Sequence, residues 1–89
     1  MTCTHRHMIV LDLPAEADKD GAACPSCVAI GSRWVHLRQC RTCGQVGCCD
    51  SSPNRHARRH AEGEGHPIVT SMEPDERWTY CFADDEIVR

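Results

Sequence analysis

Cysteine and histidine side chains recur through the middle of the chain at spacings suited to holding a metal ion. Two Cys-x-x-Cys pairs come first, Cys24 with Cys27 and Cys40 with Cys43. The donors that follow them are Cys48, His56, His60 and His66. A Cys-x-x-Cys turn places two thiolates on one ion with little strain, and zinc prefers four sulfur or nitrogen ligands in a tetrahedron. Each pair needs two more ligands, so the sequence predicts two closed zinc sites.

A closed site of this kind is structural, because four protein ligands leave no position for an activated water molecule. One alternative is a set of reduced free cysteines beside unrelated histidines. Another is a redox-active dithiol, but histidines at these spacings would then have no role. We therefore interpret the cluster as zinc-binding rather than catalytic, and we expect no enzyme activity.

Further donors lie near the two ends of the chain. Cys3 and His5 are close to the start, and Cys81 is followed three residues later by Asp84. These four residues could close a third site that ties the ends together, since zinc also accepts a carboxylate. We expect three zinc ions, with two as the alternative.

Three donor side chains have no place in these sets. His7 and His36 are expected to be surface or hydrogen-bonded histidines. Cys49 follows a predicted ligand directly, and it is either a small buried thiol or an alternative ligand. None of the three is a good candidate nucleophile, because no free histidine is fixed beside a thiol as a general base.

The composition favours a small domain that depends on metal. The chain has 89 residues and only 4% aromatic side chains, so few large groups are available to fill a core. The first residues show no cationic segment followed by an apolar run, and no stretch approaches the ~20 apolar residues that span a bilayer. We expect a cytoplasmic location, where thiols stay reduced and bind metal.

The charges are unevenly distributed. The net charge of −3 does not favour a general nucleic-acid-binding protein. Between Arg33 and Arg59, however, six arginines stand against a single acid, Asp50. A nucleic-acid-binding zinc module that uses this basic segment is therefore the alternative function, with solvated arginines on an ordinary surface as the simpler interpretation.

The residue pattern predicts an α+β fold, with an antiparallel sheet, one clear helix and metal-bearing loops. A helix is expected over about 53–62, since Ser52 suits an N-cap, Pro53 the first helical position and Gly63 the stop. Polar residues 14–23 indicate a loop, and Met8–Leu13 a short strand or turn. The strands expected further along the chain are Arg33–Gln39, Gln45–Val46, Pro67–Met72 and Trp78–Phe82.

The same order of residues resembles the UBP-type zinc finger, a ubiquitin-binding module of ubiquitin-specific proteases and of a cytoplasmic histone deacetylase. The resemblance runs from Cys3 to Asp84 and is closest to the compact stand-alone bacterial form, which implies one domain over residues 1–89. The elements that carry it are Cys24-x-x-Cys27, Trp34-Val-x-Leu-x-x-Cys40, Cys43-Gly-x-Val-x-Cys48, His56-x-x-x-His60 and Gly65-His66-Pro67.

The resemblance also implies which donors share an ion. One zinc is expected on Cys24, Cys27, Cys48 and His56. A second is expected on Cys40, Cys43, His60 and His66. A third matches Cys3, His5 and Cys81, with Asp84 at a position where three-zinc members of the family have a cysteine.

The family grips the free carboxyl-terminal Gly-Gly of ubiquitin, so the resemblance implies a partner with a flexible C-terminal tail. The matching positions are Trp34, Tyr80 and Phe82 as aromatic walls and Asp85 as an acceptor for peptide N–H groups. The chain is expected to act as a monomer and to bind neither membranes nor nucleic acid. Packing in the core is the alternative role for Trp34 and Tyr80.

The sequence departs from the family at one position. The family places a carboxylate-binding arginine two residues after the cysteine that corresponds to Cys48, and Asp50 stands there in this chain. An acid repels a carboxylate, so another cation is required. Arg33 and Arg55 are the candidates that the sequence offers.

Overall fold

Five short strands form one antiparallel sheet in the computed structural model, which describes residues 5–88. Along the chain, a 3-10 turn at Arg6–Met8 precedes the helices and strands α1 (Glu16–Lys19), α2 (Pro25–Ala29), β1 (Leu37–Cys40), β2 (Val46–Cys48), α3 (His56–Glu64), β3 (Ile68–Ser71), β4 (Thr79–Cys81) and β5 (Glu86–Val88). The strand order is β2-β1-β3-β4-β5, and every neighbouring pair is antiparallel. The predicted α+β class with an antiparallel sheet is confirmed.

The strand register divides the sheet into two faces. Val69 lies opposite Tyr80, and Tyr80 lies opposite Ile87, so these three side chains share one face. We call it the helix face, because α3 covers its β2 and β1 end. Ile68 and Cys81 lie opposite each other on the second face, where Met8 and Ile9 of the N-terminal segment pack. The helix face is therefore covered at one end only.

Helix α3 approaches strand β2 at a glycine. A Cβ atom on Gly47 would lie 2.6 Å from the backbone nitrogen of Ala57. Ala57 and Ala61 are the buried residues of the helix, so small side chains on both sides allow this close packing. The contact fixes the helix over the sheet and with it the histidines that α3 carries.

The helix begins three residues later than the sequence predicts and ends at Glu64 instead of residue 62. The hydroxyl of Ser52 does not cap it but accepts a hydrogen bond from the backbone N–H of Val35 at 2.9 Å. Arg55 adopts a left-handed conformation with φ 47°, which delays the first helical turn. At the other end, Gly65 takes the left-handed C-cap position that was expected of Gly63.

Residues 14–23 are not entirely loop, since α1 lies within them. Lys19 at its end is buried, and its Nζ donates to Glu16 Oε2 at 2.8 Å. The same Nζ donates to the carbonyl oxygens of Glu73 at 3.0 Å and Glu76 at 2.6 Å. A buried ammonium needs such partners, so a polar segment forms a helix here for a tertiary reason. Strand β5 and helix α2 are further elements that the pattern did not predict.

Other predicted strands are shifted or shortened. The strand expected over Arg33–Gln39 occupies Leu37–Cys40, while β3 and β4 lie within the expected Pro67–Met72 and Trp78–Phe82 segments. Met8–Leu13 contains no strand. After the 3-10 turn ends at Met8, the N–H groups of Val10 and Leu11 both donate to the carbonyl of Arg41. No helix within residues 5–88 has both the length and the apolar character that a membrane crossing requires.

The core is small and rich in sulfur. One cluster of buried residues comprises Cys24, Cys27, Leu37, Cys48 and Met72, with Trp34 packed against it. The second cluster centres on Ile68 and Cys81. Six of the twelve buried apolar residues within 5–88 are cysteines and five of these are candidate ligands, so the core and the candidate metal sites overlap.

Candidate metal sites and an aromatic cleft

The first donor set joins three separate parts of the chain. Cys24 and Cys27 flank the start of α2, Cys48 ends β2 and His56 begins α3. The Nδ1 atom of His56 lies 3.3 Å from the Sγ atoms of both Cys24 and Cys27, and 3.5 Å from Cys48 Sγ. Cys27 Sγ is 3.7 Å from Cys48 Sγ. The three thiols are fully buried or nearly so.

These distances fit a tetrahedral zinc ion. With Zn–S bonds of about 2.3 Å and Zn–N bonds of about 2.0 Å, tetrahedral angles place two sulfurs ~3.8 Å apart and sulfur and nitrogen ~3.5 Å apart. Burial, together with hydrogen bonds to Cys24 and Cys48, raises the pKa of Cys27 to about 11. Thiolates packed this closely therefore need a cation, which is the role that zinc fills.

The second donor set lies beside the first, one turn further along helix α3. It consists of Cys40 at the end of β1, Cys43 in the following turn, His60 one turn after His56, and His66. His60 Nε2 lies 3.3 Å from Cys43 Sγ and 3.4 Å from His66 Nδ1. Burial, followed by the neighbouring His66, lowers the pKa of His60, which keeps its imidazole in the neutral form that binds metal.

The third donor set has three members among the described residues. His5 Nδ1 lies 2.9 Å from Asp84 Oδ2 and 3.7 Å from Cys81 Sγ. Cys81 ends β4, and Asp84 lies in the turn before β5, so the set joins the N-terminal segment to the last hairpin. The predicted fourth ligand, Cys3, lies outside the described residues. His5, Cys81 and Asp84 lie within reach of one ion.

Backbone N–H groups support one sulfur in each set. The N–H of His56 donates to Cys48 Sγ at 3.1 Å, that of Thr42 to Cys40 Sγ at 3.4 Å, and that of Asp84 to Cys81 Sγ at 3.4 Å. Such bonds orient a thiolate and lower its negative charge density. The fold therefore supplies both the donors and their outer hydrogen bonds.

The donors left over in the sequence stay outside all three sets. His7 and His36 are exposed. Cys49 is buried, and its Sγ lies 3.5 Å from the hydroxyl oxygen of Ser52. Within residues 5–88 it belongs to none of the candidate metal groups, which favours the interpretation as a small buried thiol.

An aromatic cleft of about 490 Å³ opens on the uncovered end of the helix face. Val69, Tyr80 and Ile87 form its floor from three neighbouring strands. The rings of Tyr80 and Phe82 meet edge to face with centroids 5.4 Å apart. The remaining lining residues are Arg38, Cys49, Asp50, Ser51 and Trp78. A concave, largely apolar surface with a few polar groups is typical of a ligand site.

The predicted peptide-binding residues are only partly together. Tyr80 and Phe82 line the cleft, but Trp34 does not, since it packs against the sulfur-rich core cluster. Asp85 is exposed in the turn before β5, with φ 52°, and is also not among the lining residues. The aromatic wall that the prediction missed is Trp78. Its spacing of two from Tyr80 on a predicted strand was the signal that could have identified it.

The charged residues around the cleft are an acid paired with an arginine and a second arginine stacked on a ring. Asp50 Oδ2 accepts hydrogen bonds from Arg58 Nε at 2.8 Å and Nη2 at 2.6 Å, and Arg58 lies over the Phe82 ring. The bonds to Asp50 hold the pKa of Arg58 above its ordinary value. Arg38 lies over the Trp78 ring, 4.6 Å from its centroid. Arg33 and Arg55, the cations suggested by the sequence, are exposed and do not line the cleft.

The arginine-rich segment is not a continuous basic surface. Arg41 is buried, donating to the carbonyl of Leu11 and to the hydroxyl of Thr79. Arg38 stacks on the Trp78 ring and Arg58 pairs with Asp50. Three of the six arginines therefore have intramolecular partners. The alternative function as a nucleic-acid-binding module stays a prediction. The arginine-rich segment exposes less positive charge than the sequence indicated.

The fold and the donor sets define a small zinc-organised module with a ligand cleft beside its metal sites. A family model described as the zinc finger in ubiquitin hydrolases and other proteins matches residues 24–89. The chain belongs to this family, the UBP-type zinc fingers. It is accordingly a zinc-binding module, and the matched region is a binding module rather than a catalytic domain.

Two similar proteins extend this finding. Ubiquitin carboxyl-terminal hydrolase 14 of Schizosaccharomyces pombe is 30% identical over a match that covers 96% of this chain. The chain spans only 12% of that relative's length. A Rhodopseudomonas palustris protein solved by solution NMR is 46% identical, with a TM-score of 0.78, over 99% of this chain and 81% of the other.

Proposed function

We propose that this module binds the flexible C-terminal tail of a partner protein, of the ubiquitin-like Gly-Gly type, in the aromatic cleft. The observation that carries the proposal is the cleft itself, in which Trp78, Tyr80 and Phe82 surround a floor built from three strands. A narrow tail without bulky side chains suits a site walled by rings, because the rings contact the backbone closely.

Family membership supports a protein partner. The fission yeast relative is named as a ubiquitin carboxyl-terminal hydrolase, and this chain spans only 12% of its length. A flexible tail can enter the cleft without any unfolding of the partner, at the cost of the conformational freedom that it loses on binding. We also propose that the module acts as a monomer in the cytoplasm, with zinc as a structural ion.

Titration with a Gly-Gly-ending peptide tests the tail-binding function. The expected result is a change in the NMR resonances of Trp78, Tyr80 and Phe82, with Trp34 unaffected because it packs in the core. Leu13, which is exposed and does not line the cleft, serves as a control position: Leu13→Ala should bind as the wild type does, whereas Tyr80→Ala should bind weakly. If the peptide shifts none of the cleft resonances, the tail-binding proposal is wrong.

A further inference from the structure

The cleft contains one cation, Arg38, that forms no ion pair within the described chain, although it lies near enough to Glu76 to interact with it electrostatically. Arg38 Nη1 donates to the carbonyl of Leu37 at 3.0 Å, and the guanidinium lies over the Trp78 ring. Within residues 5–88, no carboxylate oxygen lies within 4 Å of this guanidinium. An arginine has five N–H donors, so several remain for a ligand.

Asp50, the acid that lines the same cleft, is already paired with Arg58. Both its hydrogen bonds from Arg58 go to Oδ2, and they are short enough to be charge-assisted. Arg58 therefore offsets the charge of Asp50, so the cleft retains the positive charge of Arg38. This arrangement removes the repulsion that Asp50 would otherwise exert on an anionic ligand.

We propose that Arg38 is the carboxylate anchor of the cleft, binding the terminal carboxylate of the partner's tail in place of a cation at position 50. This inference rests on the tail-binding function proposed above. The ring of Trp78 holds the guanidinium plane in place, and a fixed plane can present two parallel N–H groups to a carboxylate. Less side-chain freedom is then lost when the ligand binds.

The arrangement also sets the direction of the tail. With the carboxylate at Arg38, the preceding backbone crosses the floor formed by Val69, Tyr80 and Ile87. Asp50 and Arg58 then act as a pair at the wall, where Arg58 covers Phe82. Asp50 is a positioning residue in this view, and it does not touch the carboxylate.

Calorimetric titration with a Gly-Gly-ending peptide and its C-terminal amide tests the anchor. The wild type should bind the acid roughly 10- to 100-fold more tightly than the amide, as expected for a charge-assisted bidentate contact. Arg38→Gln should lose this preference, and Arg38→Lys should keep part of it, because lysine keeps the charge without the planar fork. Arg59→Gln, which removes an exposed arginine outside the cleft, should behave as the wild type.

Each outcome separates the anchor from the function on which it rests. A wild type that prefers the acid, together with an Arg38→Gln variant that prefers it equally, overturns the anchor and leaves tail binding intact. Equal binding of acid and amide by the wild type also overturns the anchor. Failure of the wild type to bind either peptide overturns the tail-binding function itself.

Two further measurements test whether a change in affinity arises from misfolding or from the charge of Asp50 instead of from the loss of Arg38. Zinc content and amide NMR spectra should be unchanged in Arg38→Gln, since its loss removes no metal ligand. The double substitution of Asp50→Asn with Arg58→Gln, which removes both charges of the pair, should change the affinity for the acid by less than about 3-fold, because the pair carries no net charge. A gain of 10-fold or more in this double variant would show that Asp50 repels the ligand in spite of Arg58, which would contradict the arrangement.

Discussion

The contact between Gly47 and the backbone of α3 is the narrowest packing point identified among the glycines. An added Cβ would lie 2.6 Å from Ala57 N, 2.9 Å from Ala57 Cα and 3.0 Å from His56 C. No flexible side chain can move aside there, because all three atoms belong to the backbone. His56 is itself a predicted zinc ligand, so any shift of the helix also moves the first donor set.

We predict that Gly47→Ala destabilises the zinc-loaded protein by ~1–3 kcal/mol, the usual range for overpacking. Gly63→Ala is the matched control, since nothing lies within 4 Å of its added Cβ and alanine favours a helix by ~0.5–1 kcal/mol. Chemical unfolding at saturating zinc measures both. Equal stability of the two variants would contradict the close approach.

The two tryptophans should separate stability from binding. Trp34 packs against the core cluster of Cys24, Cys27 and Cys48, whereas Trp78 lines the cleft under Arg38. Trp34→Leu is expected to lower the stability of the folded state by ~2–4 kcal/mol. Trp78→Leu is expected to reduce peptide affinity with less effect on stability.

Thermal unfolding and peptide titration of both variants check this division. The reverse result, in which Trp34→Leu folds normally but no longer binds, would return Trp34 to the peptide-binding role implied by the family resemblance.

At the scale of elements, α1 is stapled to the loop before β4 by two side chains, Lys19 and Glu16. Lys19 Nζ reaches the carbonyls of Glu73 and Glu76, and Glu16 Oε1 accepts the backbone N–H of Asp75 at 2.7 Å. The hydrogen bond from Lys19 to Glu16, followed by the one from the Asp75 N–H, holds the pKa of Glu16 below its usual range. The loop leads directly to Trp78, so the staple positions one wall of the cleft.

Lys19→Met is expected to lower stability by ~1–3 kcal/mol, because two carbonyls lose a buried donor. Amide hydrogen exchange should accelerate at Asp75 and Glu76. Asp20→Asn, an exposed neighbour, is the control and should leave exchange unchanged. Unaltered exchange in Lys19→Met would mean that the loop is held by other contacts.

The sequence predicted the elements that carry local signals. The helix that bears His56 and His60 was expected from its turn residues and four of the five strands from periodicity, and they are present, whereas β5 was not expected. The helix start was misplaced because Ser52 bonds to distant Val35. The staple by Lys19 was not predictable either, since no local pattern shows which lysine will be buried.

In the candidate sites too, features with a local sequence signal were predicted, and features set by contacts between distant residues were not. The spacing of cysteines and histidines predicted the metal donors, and the structure brings together each described member of the three predicted sets. The cleft was only half predicted. Trp34 was expected there from family resemblance, yet the register of β4 places Trp78 beside Tyr80 and Phe82 instead. The pairing of Asp50 with Arg58 across eight residues had no sequence signal.

At the scale of the whole molecule, zinc removal should unfold the protein. Five of the twelve buried apolar residues within 5–88 are cysteines of the donor sets, so little apolar area remains to hold the fold without metal. Adding a strong zinc chelator is expected to abolish the far-ultraviolet circular dichroism of the folded state. His60→Ala should mimic this effect, whereas His7→Ala, at an exposed position, should not. A native spectrum after complete zinc removal would contradict this prediction.

Native mass spectrometry should detect three zinc ions in the wild type. His5→Ala is expected to leave two, because it removes a donor from the set that contains Cys81 and Asp84. The remaining fold should persist, since the other two sets do not involve His5. Two ions in both proteins would show that His5, Cys81 and Asp84 form only an ion pair beside a free thiol.

Helix α3 begins at His56 of the first donor set and reaches His60 of the second within one turn. A rigid element shared in this way cannot be correctly placed for one ion while it is misplaced for the other. We therefore expect the first zinc to prepare the position of the second, so that few molecules carry only one of these two ions. On this expectation, rising free zinc should convert the unfolded chain to the complete binding module within a narrow concentration range.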